Sequence, residues 1–183
     1  MAEITIREAT TDDAGHISAL IASLARYFLA DPDRPQDAAA FFETITPLAI
    51  ADSIASGRYR YHLAESAGEL AGIVGVRDAG HLYHLMVAEP FQRQGIASQL
   101  WDLAKRAAAD DGNTGRFTVN SSVNAVPVYE RFGFRATGAV QVQNGIAFMP
   151  MELRGDWRSA GRAPDDRVAQ DHLSSPQEAP WPS

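Results

Sequence analysis

The 183-residue chain contains no cysteine. Disulfides, Cys-type zinc sites, iron–sulfur clusters and thiol nucleophiles are therefore excluded, and with them any covalent cysteine–substrate intermediate. An excess of positive charge is also missing: 16 Lys and Arg stand against 23 Asp and Glu, a formal net charge of −7. That balance argues against nucleic acid as a partner, because such proteins carry a basic stripe. It fits small molecules or basic groups instead. The apolar runs are short and broken by charges, and they read as far below the ~18 residues of a membrane span. Met1-Ala2-Glu3-Ile4-Thr5 lacks the basic start and apolar stretch of a signal peptide, so the cytoplasm is the expected location. What the chain does have, 45% hydrophobic residues over this length, suits one domain that folds without staples or metal.

The spacing of apolar residues predicts a mixed α/β order. Residues 3 to 8 alternate as a first strand, and Ile17, Leu20, Ile21 and Leu24 follow at helical spacing. A helical region over about 36–56 is expected to divide at Pro47. Residues 58–65 and 70–77 then read as a hairpin about Ala67-Gly68-Glu69, and His81–Val87 as a fourth strand. A helix over about 94–110, a fifth strand over 116–120, a short helix over 125–132 and two closing strands over 134–142 and 146–153 complete seven strands. Gly72-Ile73-Val74-Gly75 lies inside a strand, where close packing explains the glycines better than a dinucleotide loop. Phe41, Phe42 and Trp101 read as core. Residues 155–183 hold four of the ten prolines and few apolar residues, which predicts a mostly disordered tail after a domain of residues 1–154.

Two motifs carry chemistry. In Glu89-Pro90-Phe91-Gln92-Arg93-Gln94-Gly95-Ile96-Ala97-Ser98 a strand ends and a helix begins, so exposed backbone N–H groups and the helix dipole form an anion site. Gly95 lets a phosphate approach the backbone, and Ala97 is small enough to keep the path open. About thirty residues later, Asn124-Ala125-Val126-Pro127-Val128-Tyr129-Glu130-Arg131-Phe132-Gly133-Phe134 gives a strand, a short helix with Asn124 as its expected cap, and a Gly-Phe turn. No lysine follows Gly95, which disfavours a P-loop.

Together these motifs resemble the GCN5-related N-acetyltransferase (GNAT) family over residues 3–153. The resemblance implies a mostly antiparallel sheet flanked by helices and splayed between its fourth and fifth strands, with acetyl-CoA as cosubstrate. It implies that Gln92, Arg93, Gln94, Gly95, Ile96, Ala97 and Ser98 hold the pyrophosphate, chiefly through backbone amides. Many members carry arginine where Gln94 stands. It further implies that the pantetheine arm pairs with backbone around Met86 and Val87, that Asn124 contacts this arm, and that Tyr129 protonates the departing thiolate. An amine would attack the thioester directly, with a strand-end amide near Val87 polarising the carbonyl.

The base that deprotonates the amine stays open among His81, His84, His62, Glu65 and relayed water, with His81 preferred because some relatives place a glutamate there. Period two puts His81 and His84 on opposite faces unless a bulge intervenes, so no shared metal is expected. Tyr27, Phe28 and Phe41 are candidates for the acceptor wall. A non-catalytic acyl-CoA sensor on the same fold is the alternative function. Dimers are common in the family, so a homodimer is compatible with the resemblance. The tail holds five acidic and three basic residues, which leaves the body with five of the seven net negative charges. That residual acidity mildly favours a cationic amine, a polyamine, a peptide N-terminus or a lysine as acceptor.

Overall fold

Alternating strands separated by turn residues fold into one twisted sheet with helices on both faces. The computed structural model describes residues 3–155; the tail reading, including Trp157 and Trp181, falls outside the described residues apart from Gly155. The elements are β1 (Ile4–Glu8), α1 (Ala14–Ser23), α2 (Ala39–Thr44), α3 (Pro47–Ala55), β2 (Tyr59–Ser66), β3 (Glu69–Arg77), β4 (His81–Val87), α4 (Ile96–Asp110), β5 (Arg116–Ser121), α5 (Val126–Arg131), β6 (Arg135–Ala136), β7 (Gln141–Gln143) and β8 (Ile146–Arg154). The sheet order is β1-β2-β3-β4-β5-β8-β6, with β7 also paired to β8, and every pair is antiparallel except β4–β5.

The described sheet has eight strands where the sequence predicted seven, because the segment 134–142 breaks into β6 and β7. Pro150 of β8 explains the break. Its carbonyl accepts from the Thr137 N–H at 2.9 Å, but it has no N–H to return on that side, so the ladder cannot continue. The division of residues 36–56 at Pro47 stands: α2 ends at Thr44, and the Thr46 hydroxyl caps α3 by accepting from the Ala49 N–H. Pro35–Ala55, 21 residues that include an 18-residue window of mean hydropathy 1.3, passes by length and composition alone as a possible membrane span, which corrects the reading that every apolar stretch falls far short. It is not one helix, since a 3-10 turn and the break before Pro47 interrupt it.

Two cores clamp the sheet. On one face α4 lays Ile96, Leu100, Trp101 and Ala104 against Val74, Val76, Leu82 and Phe117. On the other, α1 and α3 bring Ile17, Ile21 and Ile50 onto Tyr61, Leu63 and Ile73. Each fully buried Leu, Ile or Val stabilises the fold by about 1.5–3 kcal/mol. The glycines of β3 serve close packing, as expected. A Cβ on Gly75 would sit 2.4 Å from the Tyr61 ring, and one on Gly72 would sit 2.9 Å from the Met86 carbonyl.

Candidate active site

The site begins where β4 leaves β5. Parallel pairing joins only His81 to Thr118 and Leu82 to Val119, after which the two strands diverge. A cavity of about 950 Å³ fills the gap and reaches the first turn of α4, α5, the α1–α2 region and the β7–β8 hairpin.

Backbone alternation decides what β4 offers to this gap. The Ala88 N–H donates to the Ala71 carbonyl at 2.9 Å, so Met86 pairs with Ile73 of β3, and the polar groups of Leu85 and Val87 face the opposite edge. The Val87 carbonyl accepts from the Gln92 side-chain amide at 3.0 Å, consistent with that orientation. Met86 therefore lines the cavity with its side chain, while Val87 presents backbone to it.

The turn before α4 has two residues in the left-handed region, Arg93 at φ 60° and Gly95 at φ 81°. They delay the helix to Ile96, two residues later than the apolar pattern suggested. Gln94 holds the loop by donating to the Pro90 carbonyl at 3.1 Å and does not line the cavity. Gln92, Arg93, Gly95, Ile96, Ala97 and Ser98 do line it, and no acidic residue sits in the first turn of α4. The unsatisfied N–H groups of that turn are thus available to an anion.

Asn124 does not cap α5, contrary to the expectation from sequence. It lies within a 3-10 turn, Val123–Ala125, and Ala125 occupies the cap position. Its side chain instead reaches across the cavity to the Tyr27 carbonyl, at 3.4 Å. Tyr129 is 6% exposed, packs edge-on against Phe132 and Phe134, and lines the same cavity. Burial raises its pKa, so the hydroxyl stays protonated.

A bulge resolves the histidine question. Gly75 pairs with His84 and Val76 with Leu82, which leaves Tyr83 as the extra residue. Leu82 and Leu85, three apart, both pack toward α4, and His81, Tyr83 and His84 all line the cavity. Strict alternation would have separated the two histidines. His81 Nδ1 lies 2.8 Å from the Thr118 hydroxyl, and burial and Arg77 lower its pKa. His84 is 5% exposed, and burial pushes its pKa down to about 3. Its Nδ1 lies 2.8 Å from the Tyr61 hydroxyl, whose pKa burial raises. Tyr61 therefore donates, Nδ1 accepts, and the His84 proton sits on Nε2. No metal-binding group of His, Asp and Glu occurs among the described residues.

His62 and Glu65 lie elsewhere. His62 faces a different cavity with Glu8 and Arg60, and Glu65 is held by Arg7 at 2.9 Å beside β1. Tyr27, Phe28 and Phe41 all line the main cavity, and Phe28 meets Phe41 edge-on at 5.1 Å; Phe41 also packs against the α1–α3 core, so it is both wall and core. Trp101 is core. Arg77, Thr44, Tyr83, Arg131 and the hairpin residues Gln143, Asn144 and Ile146–Phe148 also line the cavity, and sequence reasoning missed them. The Asn144-Gly145 turn signal was there to find the hairpin, but nothing local marked the bulge. The hairpin is pinned by the Ala30 N–H to the Gly145 carbonyl at 2.9 Å and by the Ala147 N–H to the Phe28 carbonyl at 3.0 Å.

The "Acetyltransferase (GNAT) domain" family model matches residues 29–154. No curated protein sequence matches the chain. Among solved structures, a GCN5-related N-acetyltransferase from Rhodopseudomonas palustris is 19% identical, with 84% of this chain and 97% of that one covered at a TM-score of 0.69. PaiA N-acetyltransferase from Thermoplasma acidophilum, solved with coenzyme A, is 12% identical over 84% and 99% of the two chains at a TM-score of 0.67. The spermidine/spermine N-acetyltransferase SpeG from Vibrio cholerae is 18% identical over 87% and 98%, with a TM-score of 0.61. The splayed β4–β5 pair, the amide-rich turn at α4 and the family match converge: the chain belongs to the GNAT acetyltransferases, a family that transfers acetyl groups from acetyl-CoA.

Proposed function

We propose that this protein transfers the acetyl group of acetyl-CoA directly to the nitrogen of a primary amine. The observation that carries this reading is one cavity shared by the α4 turn, the free edge of β4 and Tyr129. The pyrophosphate sits on the N–H groups of the Gly95–Ser98 turn, with Arg93 beside them. The pantetheine arm runs along the β4 edge that Leu85 and Val87 offer. The Val87 N–H then faces the thioester oxygen, where charge develops as the amine attacks.

His81 is the base. For Nε2 to accept the amine proton, Nδ1–H donates to Thr118, and the lowered pKa keeps the ring neutral near pH 7. The C–N bond forms as the C–S bond breaks, and the thiolate leaves toward Tyr129. The protonated phenol stabilises it or gives up its proton to it. No enzyme-bound acyl group is required, in keeping with a chain without cysteine. The test is a free-thiol assay with acetyl-CoA across amino acids, peptides, polyamines and aminoglycosides. Amine-dependent thiol release with matching acetylated product supports the reading; thiol release from none of these classes would sink it.

A further inference from the structure

The cavity carries a charge opposite in sign to that of the chain. The protein is acidic, yet among the described residues lining the cavity there is no Asp or Glu, while three arginines and two histidines are present. We infer that the acceptor is an amine that also bears a carboxylate, on an apolar or aromatic body: a molecule of amino-acid type and not a polycation. This rests on the acetyl-transfer reading above and names the acceptor of that same site.

Arg93 and Arg131 come from the α4 turn and α5, the side proposed for the cofactor. Arg77 stands at the other end. It is the last residue of β3, in register with His81, and its guanidinium lies 5.6 Å over the Tyr83 ring. Its charge is only loosely met. The Asp78 carboxylate is 3.7 Å away, and Asp78 is itself gripped by Arg58 at 2.7 and 2.9 Å. Glu89 is likewise committed, to Arg26 and to the Tyr27 hydroxyl.

A spermidine-like chain entering this space would set its second ammonium group near Arg77 without a carboxylate in the wall to receive it, which costs binding energy. A carboxylate fits the guanidinium fork with two hydrogen bonds. The amine of the same molecule then lies toward His81, the register neighbour of Arg77. Phe28, Phe41 and Tyr83 supply the apolar wall for the rest of the acceptor. His84 adds a neutral donor, because Tyr61 occupies its Nδ1 and leaves the Nε2 hydrogen without a partner among the described residues. The wall thus offers donors and positive charge to oxygen, and among the described residues it offers no carboxylate to a second cation. This reverses the hint that the overall acidity had given.

The test compares thiol-release kinetics for a panel of apolar and aromatic amino acids, for 2-phenylethylamine and for spermidine, on the full chain and on Arg77→Met and Arg77→Lys. A charge-assisted pair is worth about 10- to 100-fold in affinity. At least one amino acid is therefore expected to exceed its decarboxylated counterpart about tenfold or more in kcat/KM. Measured above the pH range in which His81 titrates, Arg77→Met should raise its KM by about 10- to 100-fold relative to any change for 2-phenylethylamine, and be partly rescued by Arg77→Lys. Preference for spermidine, or equal loss on both amines in Arg77→Met, overturns the inference while leaving acetyl transfer intact.

Calorimetry separates the two ideas. N-acetylphenylalanine and N-(2-phenylethyl)acetamide are titrated into protein saturated with coenzyme A. Tighter binding of the carboxylate, lost in Arg77→Met, supports the acceptor class even where no amine releases thiol, a result that would defeat only the transfer reading. Equal binding, or none by either, overturns the inference.

Discussion

The two halves of the cavity are built in different ways. The half proposed for the cofactor is mostly backbone: the amides of the Gly95–Ser98 turn and the unpaired edge of β4, both from one stretch of fewer than twenty residues. The half proposed for the acceptor is mostly side chains, brought from the α1–α2 region, β3, the bulge in β4 and the β7–β8 hairpin. A backbone cradle tolerates changes in side chains and constrains φ. A side-chain pocket does the reverse. Substitutions should therefore divide cleanly between coenzyme affinity and acceptor discrimination, and that division can be tested.

The largest effect is expected at the junction of the halves. Tyr129→Phe should lower kcat by about 10²–10⁴-fold, the usual worth of a positioned acid, while calorimetric coenzyme A affinity stays within about twofold. Equal losses in both would make Tyr129 a packing residue. Next comes the acceptor floor. Gly75→Ala forces a Cβ into the Tyr61 ring and should cost about 1–3 kcal/mol of stability, read as a lower urea midpoint, together with disturbance of the Tyr61–His84 bond.

The third test is pH. His84 is held neutral in the fold, with its pKa near 3, whereas an unfolded histidine titrates near 6.5. Between those values the unfolded state binds more protons, so this group's contribution is full above pH 6.5 and is lost as pH falls toward 3. Its slope is at most about 1.4 kcal/mol per pH unit. His84→Asn should flatten the loss of stability between pH 7 and 5 in urea titrations; an unchanged slope would remove His84 from the account. The smallest effect belongs to the cradle. Gly95→Ala meets no atom within 4 Å, so only its left-handed φ costs, about 1–2 kcal/mol. Coenzyme A should bind about tenfold more weakly at unchanged acceptor KM.

The difference between the halves also explains what could be read in advance. The Gln92–Ser98 turn and the Asn124…Tyr129 helix are contiguous, so their residue types and spacing were visible before any fold was known. Even there, two side-chain roles shifted. Gln94 turned out to hold Pro90, and Asn124 reached Tyr27 instead of capping α5. The facing of β4 was not legible, because one extra residue at Tyr83 reverses the alternation on which such a reading depends. Arg77 gave no signal either: it ends a strand beside an acidic turn and looks like any solvated charge. The charge of the cavity followed neither the net charge nor any local run, since it depends on which side chains four distant segments turn inward.

By itself the sequence determined the order of strands and helices, the phosphate-type turn and the exclusion of thiol chemistry, because these follow from periodicity, glycine placement and composition, all local quantities. Only the tertiary structure decided the break between β6 and β7, the shared face of His81 and His84, and the basic lining of an acidic protein's cavity. Those depend on a missing proline N–H, a single bulged residue and the meeting of distant side chains, none of which has a signature in the neighbouring sequence.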